Sequence, residues 1–295
     1  MKCFRFIAAE RANHPISLLC RVLGVSRSGF HAWERRPPSN RAFADAWLSE
    51  QIREIHTQSR GTYGAPRVHA ELRFRGVRVG RKRVERLMRG VGVSGLIKRK
   101  RGRTTISVPG VRVADDLVER DFDPPARDLL WVADITYART WEGWLYVAVV
   151  IDCFSRRVVG FAIADHLRAE LVVDALEQAV VRRRPGAGLI HHSDQGSQYV
   201  SLAFGQECRR NGIALSMGSR GDCYDNAVCE AFFKTLKHEL VDRRSWPTKH
   251  ELRLAVFEYI EVFYNRRRRH STLAYHTPEE YESIIRSENG RQEAA

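Results

Sequence analysis

The sequence predicts an α/β fold, a mixed sheet flanked by helices, preceded by an all-α region. Three observations indicate this. Residues 128–216 contain strand-like runs rich in β-branched and aromatic residues, with amphipathic helical segments among them. Residues 1–103 carry apolar residues at helical spacing. The net charge also changes sign between the two parts of the chain, which indicates that they do different work.

The charge is concentrated in the N-terminal part. The chain of 295 residues has 49 Lys and Arg against 35 Asp and Glu, a net charge of +14. Residues 1–113 hold 25 basic and 7 acidic residues, and the remainder holds 24 and 28. A basic region of this strength favours nucleic-acid binding over a merely solvated basic surface.

The composition excludes several classes of protein. Apolar residues make up 43% of the chain, too many for a disordered protein. The longest apolar stretch, 146–154, is broken by Asp152 and is far shorter than the roughly 20 residues of a membrane span. The N-terminus does not read as a signal peptide, so we expect a cytoplasmic protein without a membrane partner. The six cysteines form no CxxC motif, which argues against a zinc site.

The first helical segment predicts a helix-turn-helix. Apolar residues recur at helical spacing from Ile16 to Leu23, and Gly24 then interrupts the pattern. Ser26 is a good N-cap for a second helix, at whose leading end Arg27 lies. Because the second helix of such a unit can enter the major groove, Arg27 is a candidate DNA contact.

A second helix-turn-helix is predicted further along the basic region. Residues 41–58 form an amphipathic helix, and two further helical stripes are separated by a turn at Gly76–Gly80. The last helix carries the candidate DNA contacts Arg81, Lys82 and Arg83. The basic run 97–103 suits contacts with phosphates.

These patterns divide the chain into four predicted regions. Residues 1–103 form the helix-turn-helix DNA-binding region, and residues 104–127, which contain three prolines and no periodicity, form a linker. Residues 128–245 form the core, with the order βββαβαβ and a helix from about Asn226. Residues 246–295 form a C-terminal helical extension.

Three acidic residues in the core point to metal chemistry. Asp134 interrupts an apolar strand, Asp194 follows the fourth strand, and Glu230 lies on the last helix of the core. A carboxylate in an apolar strand is costly unless something binds it. Three carboxylates with open positions suit Mg²⁺ or Mn²⁺, and a pair of such ions can catalyse phosphoryl transfer. Each residue taken alone is equally well read as a capping or surface acid.

The spacing of these acids, together with the motifs around them, resembles a known family. Asp194 and Glu230 are separated by 35 residues, and Lys237 follows seven residues later. The chain resembles the DDE transposases with a ribonuclease-H-like, integrase-type core, and in particular the downstream-frame transposases of bacterial insertion sequences of family three. The matching motifs are Trp131-x-x-Asp134-x-Thr136-Tyr137, His192-Ser193-Asp194-x-Gly196-x-Gln198-Tyr199, Gly221-x-Cys223-Tyr224-Asp225-Asn226-Ala227-x-x-Glu230-x-Phe232 and Leu236-Lys237-x-Glu239.

The resemblance implies cleavage at the ends of a mobile element and transfer of the freed 3′ end into target DNA. By position, Asp134, Asp194 and Glu230 are then the catalytic metal ligands for two Mg²⁺ or Mn²⁺ ions, and Lys237 contacts DNA. The implied partners are double-stranded element ends and target DNA, and further copies of the chain. The family also implies an upstream-frame helix-turn-helix protein, either fused or separate.

Two other functions fit the same residues. One is a DNA-binding repressor of transposition without catalysis, which loss of an acidic residue would favour. The other is a metal nuclease of the same fold that does not transpose. A Ser-His-Asp hydrolase is disfavoured because the chain has no G-x-S-x-G motif.

Two more charged features lie near the predicted core. Asp152 ends the second strand and is interpreted as a turn cap rather than as a fourth ligand. The basic run Arg266–Arg269 fits either a solvated patch or a DNA contact, and the DNA contact is preferred because the run precedes His270 in a C-terminal motif that also matches the family.

Overall fold

The computed structural model describes residues 2–96, 116–118, 121–218 and 226–292, and their side chains apart from 286–292. The basic run 97–103, most of the predicted linker and the motif residues Gly221–Asp225 lie outside the described residues. The helices of the described chain are α1 (Lys2–Glu10), α2 (Ile16–Val22), α3 (Arg27–Glu34), α4 (Asn40–Gln58), α5 (Ala65–Phe74), α6 (Arg81–Gly90), α7 (Glu170–Arg183), α8 (Leu202–Arg210), α9 (Ala227–Glu239), α10 (Lys249–Glu258) and α11 (Pro278–Gln292).

Five strands form one mixed sheet, which confirms the predicted fold class. They are β1 (Leu130–Thr140), β2 (Gly143–Asp152), β3 (Val158–Ala164), β4 (Ile190–Ser193) and β5 (Ala214–Met217). Their order across the sheet is β3-β2-β1-β4-β5. The first three strands form an antiparallel meander, and β4 and β5 add parallel to β1.

Alternation along β1 directs side chains to two cores, one on each face of the sheet. Trp131 and Ala133 pack with residues of α7 and α8, whereas Leu130 and Val132 pack with α9 and α10. On the first face, α7 crosses β3 so closely that a Cβ at Gly160 would lie 2.2 Å from a carbonyl oxygen of α7. Only glycine fits at this crossing.

The N-terminal helices fall into two groups. Helices α1–α3 enclose a small core of their own, built around Ile7 and Phe30. The Ser26 side chain accepts a hydrogen bond from the backbone N–H of Gly29, as predicted for an N-cap. Helices α4–α6 instead share the larger hydrophobic core with the sheet, α9 and α10. This hydrophobic core contains residues from both sides of the predicted boundary at residue 103. The position of the boundary stays a prediction.

The C-terminal extension is fastened to the rest of the chain by buried arginines. Arg268 donates two hydrogen bonds to the carboxylate of Glu239, at 2.9 and 2.8 Å. Arg269 pairs with Glu71 at 2.7 Å and with Glu280. Both arginines are buried. The interpretation of these two as DNA contacts is therefore wrong, because their guanidinium groups are used inside the protein.

Asp152 is a structural residue, as interpreted from the sequence. Its buried carboxylate accepts hydrogen bonds from the Asp128 N–H and from both the N–H and the hydroxyl of Ser155. Burial raises its pKa, while these hydrogen bonds act in the opposite direction. Asp152 thus fixes the turn between β2 and β3.

None of the helices in the described residues combines the length and the apolar character needed to cross a membrane.

Candidate active site

Asp134 lies on β1 where the strand loses its neighbour. Of the β1 residues, β4 pairs only with Leu130–Val132 in the described part of the chain, so the edge of β1 is open beyond this point. Asp134 is half-buried on the α9 side of the sheet, and its Oδ1 accepts a hydrogen bond of 2.7 Å from the Ile135 N–H. One catalytic candidate therefore lies at an accessible edge with an apolar layer behind it.

Asp194 is positioned by the parallel pairing of β4 with β1. It follows Ser193, the last residue of β4, and its Oδ1 accepts a hydrogen bond of 3.0 Å from the Gly196 N–H. The Gln195 side chain donates to the Gly218 carbonyl at 3.2 Å, which links this loop to the end of β5. Because β4 ends beside β1, the carboxylate of Asp194 emerges near Asp134.

Glu230 reaches the same region from α9. The helix buries Phe232 and Leu236 against the sheet, as the sequence pattern predicts. At its start, the Asn226 side chain donates a hydrogen bond of 2.8 Å to the Ala133 carbonyl of β1. This bond fixes the first turn of α9 beside Asp134, so Glu230 lies on the first turn of a helix anchored to the strand.

The charges of Asp194 and Glu230 act on Asp134. The pKa of Asp134 is raised from 3.8 to about 7, chiefly by burial and further by the negative charges of Asp194 and Glu230. The hydrogen bond from Ile135 and the charge of Lys237 act in the opposite direction. Three mutually repelling carboxylates are the arrangement that a divalent cation relieves.

The carboxylates are close but do not form a closed metal cage. Among the described residues, no group of three His, Cys, Asp or Glu side chains has the geometry to hold a metal ion. Glu230 instead forms an ion pair of 2.6 Å with Lys234, whose side chain is 68% exposed. An exposed pair contributes little stability, so Glu230 can exchange Lys234 for a cation at small cost. The hard oxygen donors fit Mg²⁺ or Mn²⁺ in kind.

Lys237 lies beside the acidic group. Its Nζ is 5.2 Å from the centre of the Tyr137 ring, and its charge lowers the pKa of Asp134. Lys237 follows Glu230 by seven residues, about two helical turns, which puts the two side chains on nearly the same face of α9. Lys234, also on α9, is exposed and is the ion-pair partner of Glu230.

The four candidate DNA contacts of the N-terminal region have different surroundings. Arg27 is the first residue of α3 and is exposed, and Lys82 is exposed near the start of α6 without an ion pair among the described residues. Arg81 pairs with Glu85 on its own helix at 3.0 Å. Arg83 pairs with Asp45 at 2.7 Å, which joins α6 to α4. That these residues contact DNA stays a prediction.

The histidines before Asp194 are packed into the protein. His191 is fully buried against Tyr199 and Phe204, and burial lowers its pKa to about 3. The Nδ1 of His192 lies 2.9 Å from the Ser216 hydroxyl. Neither histidine is presented at the open edge of β1, which agrees with the exclusion of a Ser-His-Asp hydrolase.

Sequence reasoning missed the residues that hold α9 in place. Asn226 marks the predicted start of the last core helix, and its bond to the Ala133 carbonyl depends on how α9 crosses β1. Glu239 at the other end of α9 belongs to the motif Leu236-Lys237-x-Glu239, which does not indicate its partner. The one available signal was the arginine-rich segment 266–269, whose partners follow only from the fold.

The raised pKa of Asp134 predicts that metal binding depends on pH. Below pH 7 a proton occupies the carboxylate that must bind the cation, so the apparent affinity for Mn²⁺ should rise by about tenfold per pH unit up to pH 7 and then level off. Without metal, the folded protein binds more protons than the unfolded chain between pH 3.8 and about 7. The contribution of Asp134 to the free energy of unfolding therefore falls as the pH rises through this range.

Calorimetric Mn²⁺ titrations between pH 5.5 and 8.5 measure this dependence. Asp134→Asn should remove the slope, and exposed Asp174→Asn on α7 should leave it unchanged. An affinity in the unaltered protein that does not change with pH would contradict a metal site at Asp134.

Known protein families match most of this chain. Residues 42–101 match the family model of an HTH-like domain, and residues 124–223 and 211–278 match two integrase core domain models. Among solved structures, the catalytic core domain of HTLV-2 integrase in complex with magnesium covers 54% of this chain and 98% of its own, at 16% identity and a TM-score of 0.41.

Two curated relatives match almost from end to end. The chain is 38% identical to the transposase for insertion sequence element IS629 of Shigella sonnei, over 97% of both chains. It is also 38% identical to transposase InsF for insertion sequence IS3A of Escherichia coli K12, over 94% of this chain and 97% of that one. The chain therefore belongs to the IS3 family of insertion-sequence transposases, which carry an integrase-type catalytic core and catalyse metal-dependent cleavage and joining of DNA.

Proposed function

We propose that Asp134, Asp194 and Glu230 are the catalytic residues and hold a pair of Mg²⁺ or Mn²⁺ ions between β1, β4 and α9. The observation that carries the proposal is the relative position of the three side chains: Asp134 lies at the open edge of β1, Asp194 follows the end of β4 beside it, and Glu230 lies on the first turn of α9, which Asn226 bonds to β1. The family is divalent-metal dependent, and three oxygen donors with open positions suit these ions. The number and identity of the ions are part of the proposal.

The chemistry then divides between the ions and the protein. When bound, the ions activate the attacking oxygen and stabilise the leaving oxygen of the phosphodiester. The protein orients the reacting strand along the open edge of β1. The carboxylates that hold the ions then lie on one side of the reacting phosphate, and Lys237 lies on the other side. The Asn226 bond to Ala133 keeps α9 at the distance this geometry needs.

A strand-transfer assay with the element's own terminal repeats tests this function. With Mg²⁺ or Mn²⁺ we expect cleavage at the 3′ ends and joining of those ends to target DNA, and with a chelator neither product. Cleavage without any joined product would favour a non-transposing nuclease. Binding without either product, in the presence of metal, would favour a repressor.

The basic N-terminal region supports binding of double-stranded element ends. We propose that Arg27 at the tip of α3 reads the DNA and that Arg81 and Lys82 contact phosphates from α6. Arg83 is retained as a weaker candidate, because it is already paired with Asp45. Each phosphate contact that is lost should weaken binding and reduce the dependence on salt by about one counterion.

We further propose that the active form is a homo-oligomer, acting on DNA in the bacterial cytoplasm. An element has two ends, and each must meet a catalytic site while both are joined to one target. An upstream-frame helix-turn-helix protein, fused or separate, is proposed as a further partner on the basis of the family resemblance alone.

Lys237 is proposed to contact the DNA next to the reacting phosphate. Lys237→Gln should reduce strand transfer roughly tenfold and weaken binding of end DNA, because a phosphate contact near Asp134 is lost, while Mn²⁺ affinity changes little. Exposed Arg253→Gln on α10 is the matched control, since Arg253 has no ion pair among the described residues. Equal effects of the two variants on strand transfer would show that Lys237 contributes only its positive charge and makes no specific contact with the DNA.

A further inference from the structure

The hairpin formed by β1 and β2 carries an unusual group of exposed aromatic side chains. Tyr137, Trp141 and Trp144 are 55%, 76% and 46% exposed. Among the described residues of the predicted catalytic core, 128–245, these are the only aromatic side chains classed as exposed. Tyr137 lies on β1, Trp144 on β2, and Trp141 in the turn that joins the two strands. Exposed aromatic surface on a single hairpin is typical of an interaction site. We call Tyr137, Trp141 and Trp144, with Arg139, the hairpin patch.

The patch combines aromatic rings with positive charge. The rings of Tyr137 and Trp144 lie 5.2 Å apart at an interplanar angle of 88°. Arg139 is directly opposite Trp144 in the strand register, and its guanidinium lies 6.0 Å from the Trp144 ring centre. The Nζ of Lys237 lies 5.2 Å from the centre of the Tyr137 ring. The acid of the turn, Glu142, is engaged by the Lys249 N–H at 2.7 Å.

The patch continues from the acidic residues along the same strand. Tyr137 is three residues beyond Asp134 on β1, or about 10 Å. Tyr137 belongs to the opposite face by alternation, but Lys237 spans the open edge, since it contacts Tyr137 and also lowers the pKa of Asp134. A separation of about 10 Å corresponds to roughly three stacked nucleotides.

We infer that the hairpin patch is a stacking platform for an unstacked base of the DNA strand, within about three nucleotides of the cleaved phosphate. Aromatic faces beside cations are the combination that binds single-stranded nucleic acid, because bases stack on the rings while the cations meet the phosphates. A paired base inside a duplex presents no free face, so the platform favours DNA whose end has opened. The inference rests on the proposed position of the cleaved phosphate at Asp134.

The test pairs protein variants with DNA ends that lack one base. End DNA is prepared with all bases present, or with an abasic nucleotide at one of the first three positions beside the cleavage point. Its affinity is measured by fluorescence anisotropy without divalent metal, so the result does not depend on catalysis. The full-length protein is compared with Trp141→Ala, Tyr137→Leu and Tyr137→Phe.

At one position, removal of the base should weaken binding by the unaltered protein roughly 5- to 100-fold. Trp141→Ala or Tyr137→Leu should weaken binding of intact DNA by a similar factor and should be nearly insensitive to the missing base. Tyr137→Phe keeps the ring and should behave like the unaltered protein. Phe257→Ala is the matched control, because Phe257 is similarly exposed, at 50%, but lies on α10, outside the proposed DNA contacts.

Two outcomes would overturn the inference. One is that the effects of the variants and of the missing base simply multiply, which would show that ring and base do not interact. The other is that Trp141→Ala and Tyr137→Leu behave like Phe257→Ala. Failure of the metal proposal would appear separately, as Asp134 variants that keep strand transfer, while the anisotropy result would stand.

Discussion

Replacement of any one of the three acidic residues should abolish catalysis. Asp134→Asn, Asp194→Asn and Glu230→Gln are each expected to reduce 3′-end cleavage and strand transfer by about a thousandfold or more, because each removes one ligand of the metal pair that stabilises both reacting oxygens. Binding of element-end DNA should survive, since the proposed contacts lie largely on α3 and α6. Cleavage gels and a gel-shift titration on the same preparations measure the two effects.

The control for these variants is an acidic residue of the integrase-type core that lies outside the proposed metal site. Asp174→Asn, on the exposed face of α7, should keep near-normal strand transfer. Asp152 is a poorer control, because its buried carboxylate accepts three hydrogen bonds and its loss would disturb the β2–β3 turn. An acidic variant that keeps strand transfer within a few fold of the unaltered protein would remove that residue from the catalytic group.

The second large effect concerns stability. Arg268→Met should lower the free energy of unfolding by about 3–5 kcal/mol, because it leaves the buried carboxylate of Glu239 without its bidentate partner. Burial alone would raise the pKa of Glu239, but the hydrogen bonds and charge of Arg268 outweigh it and the pKa is lowered. Urea denaturation monitored by tryptophan fluorescence measures the change.

A double variant separates the lost pair from the altered packing. Arg268→Met with Glu239→Gln removes both charges and should recover most of the lost stability, because no ion is then left buried alone. If the double variant were as unstable as the sum of the two single variants, the ion pair would not be the cause. Arg253→Met on exposed α10 should change the stability by less than about 0.5 kcal/mol.

Glu239 and its partners Arg268 and Arg67 lie on the same helix as, or next to the helix of, the proposed metal ligand Glu230. Glu239 lies at the end of α9, whose first turn carries Glu230, and it receives Arg67 of α5 at 3.8 Å as well as Arg268. Helix α5 belongs to the HTH-like domain, so this domain, the helix that carries Glu230 and the C-terminal extension meet at one carboxylate. We therefore expect Arg268→Met to reduce strand transfer through a displaced α9 even where the protein remains folded.

The sheet and most helices could be predicted from the sequence because their patterns are local. The period of two along 130–137 and the helical stripes of α4, α5 and α6 depend on residues near one another in the chain. The bounds of α4 were predicted as 41–58 and are Asn40–Gln58. The cap at Ser26 was predicted for the same reason.

The catalytic candidates could be identified because their residue types are costly where they occur. Asp134 interrupts an apolar strand, where a carboxylate is costly unless something binds it. The spacing of Asp194 and Glu230, with the motifs around them, then indicated the family resemblance. The convergence of their charges on Asp134 follows from the parallel pairing of β4 with β1.

Long-range pairing is what the sequence could not show. Arg268 and Arg269 were interpreted as DNA contacts, and their partners Glu239 and Glu71 lie 29 and 198 residues away. Likewise, the sharing of one hydrophobic core by α4–α6 and the sheet gives no signal in a local pattern.

The number of bound metal ions is the most direct test of a metal site built from Asp134, Asp194 and Glu230. Mn²⁺ would be titrated calorimetrically into the complex of the protein with pre-cleaved element-end DNA, without target DNA, at pH 8. We expect two ions per catalytic site in the unaltered protein. In Asp134→Asn, Asp194→Asn and Glu230→Gln we expect one or both ions to be lost. The same number of ions, bound with unchanged affinity, in the unaltered protein and all three variants would contradict a metal site built from these carboxylates.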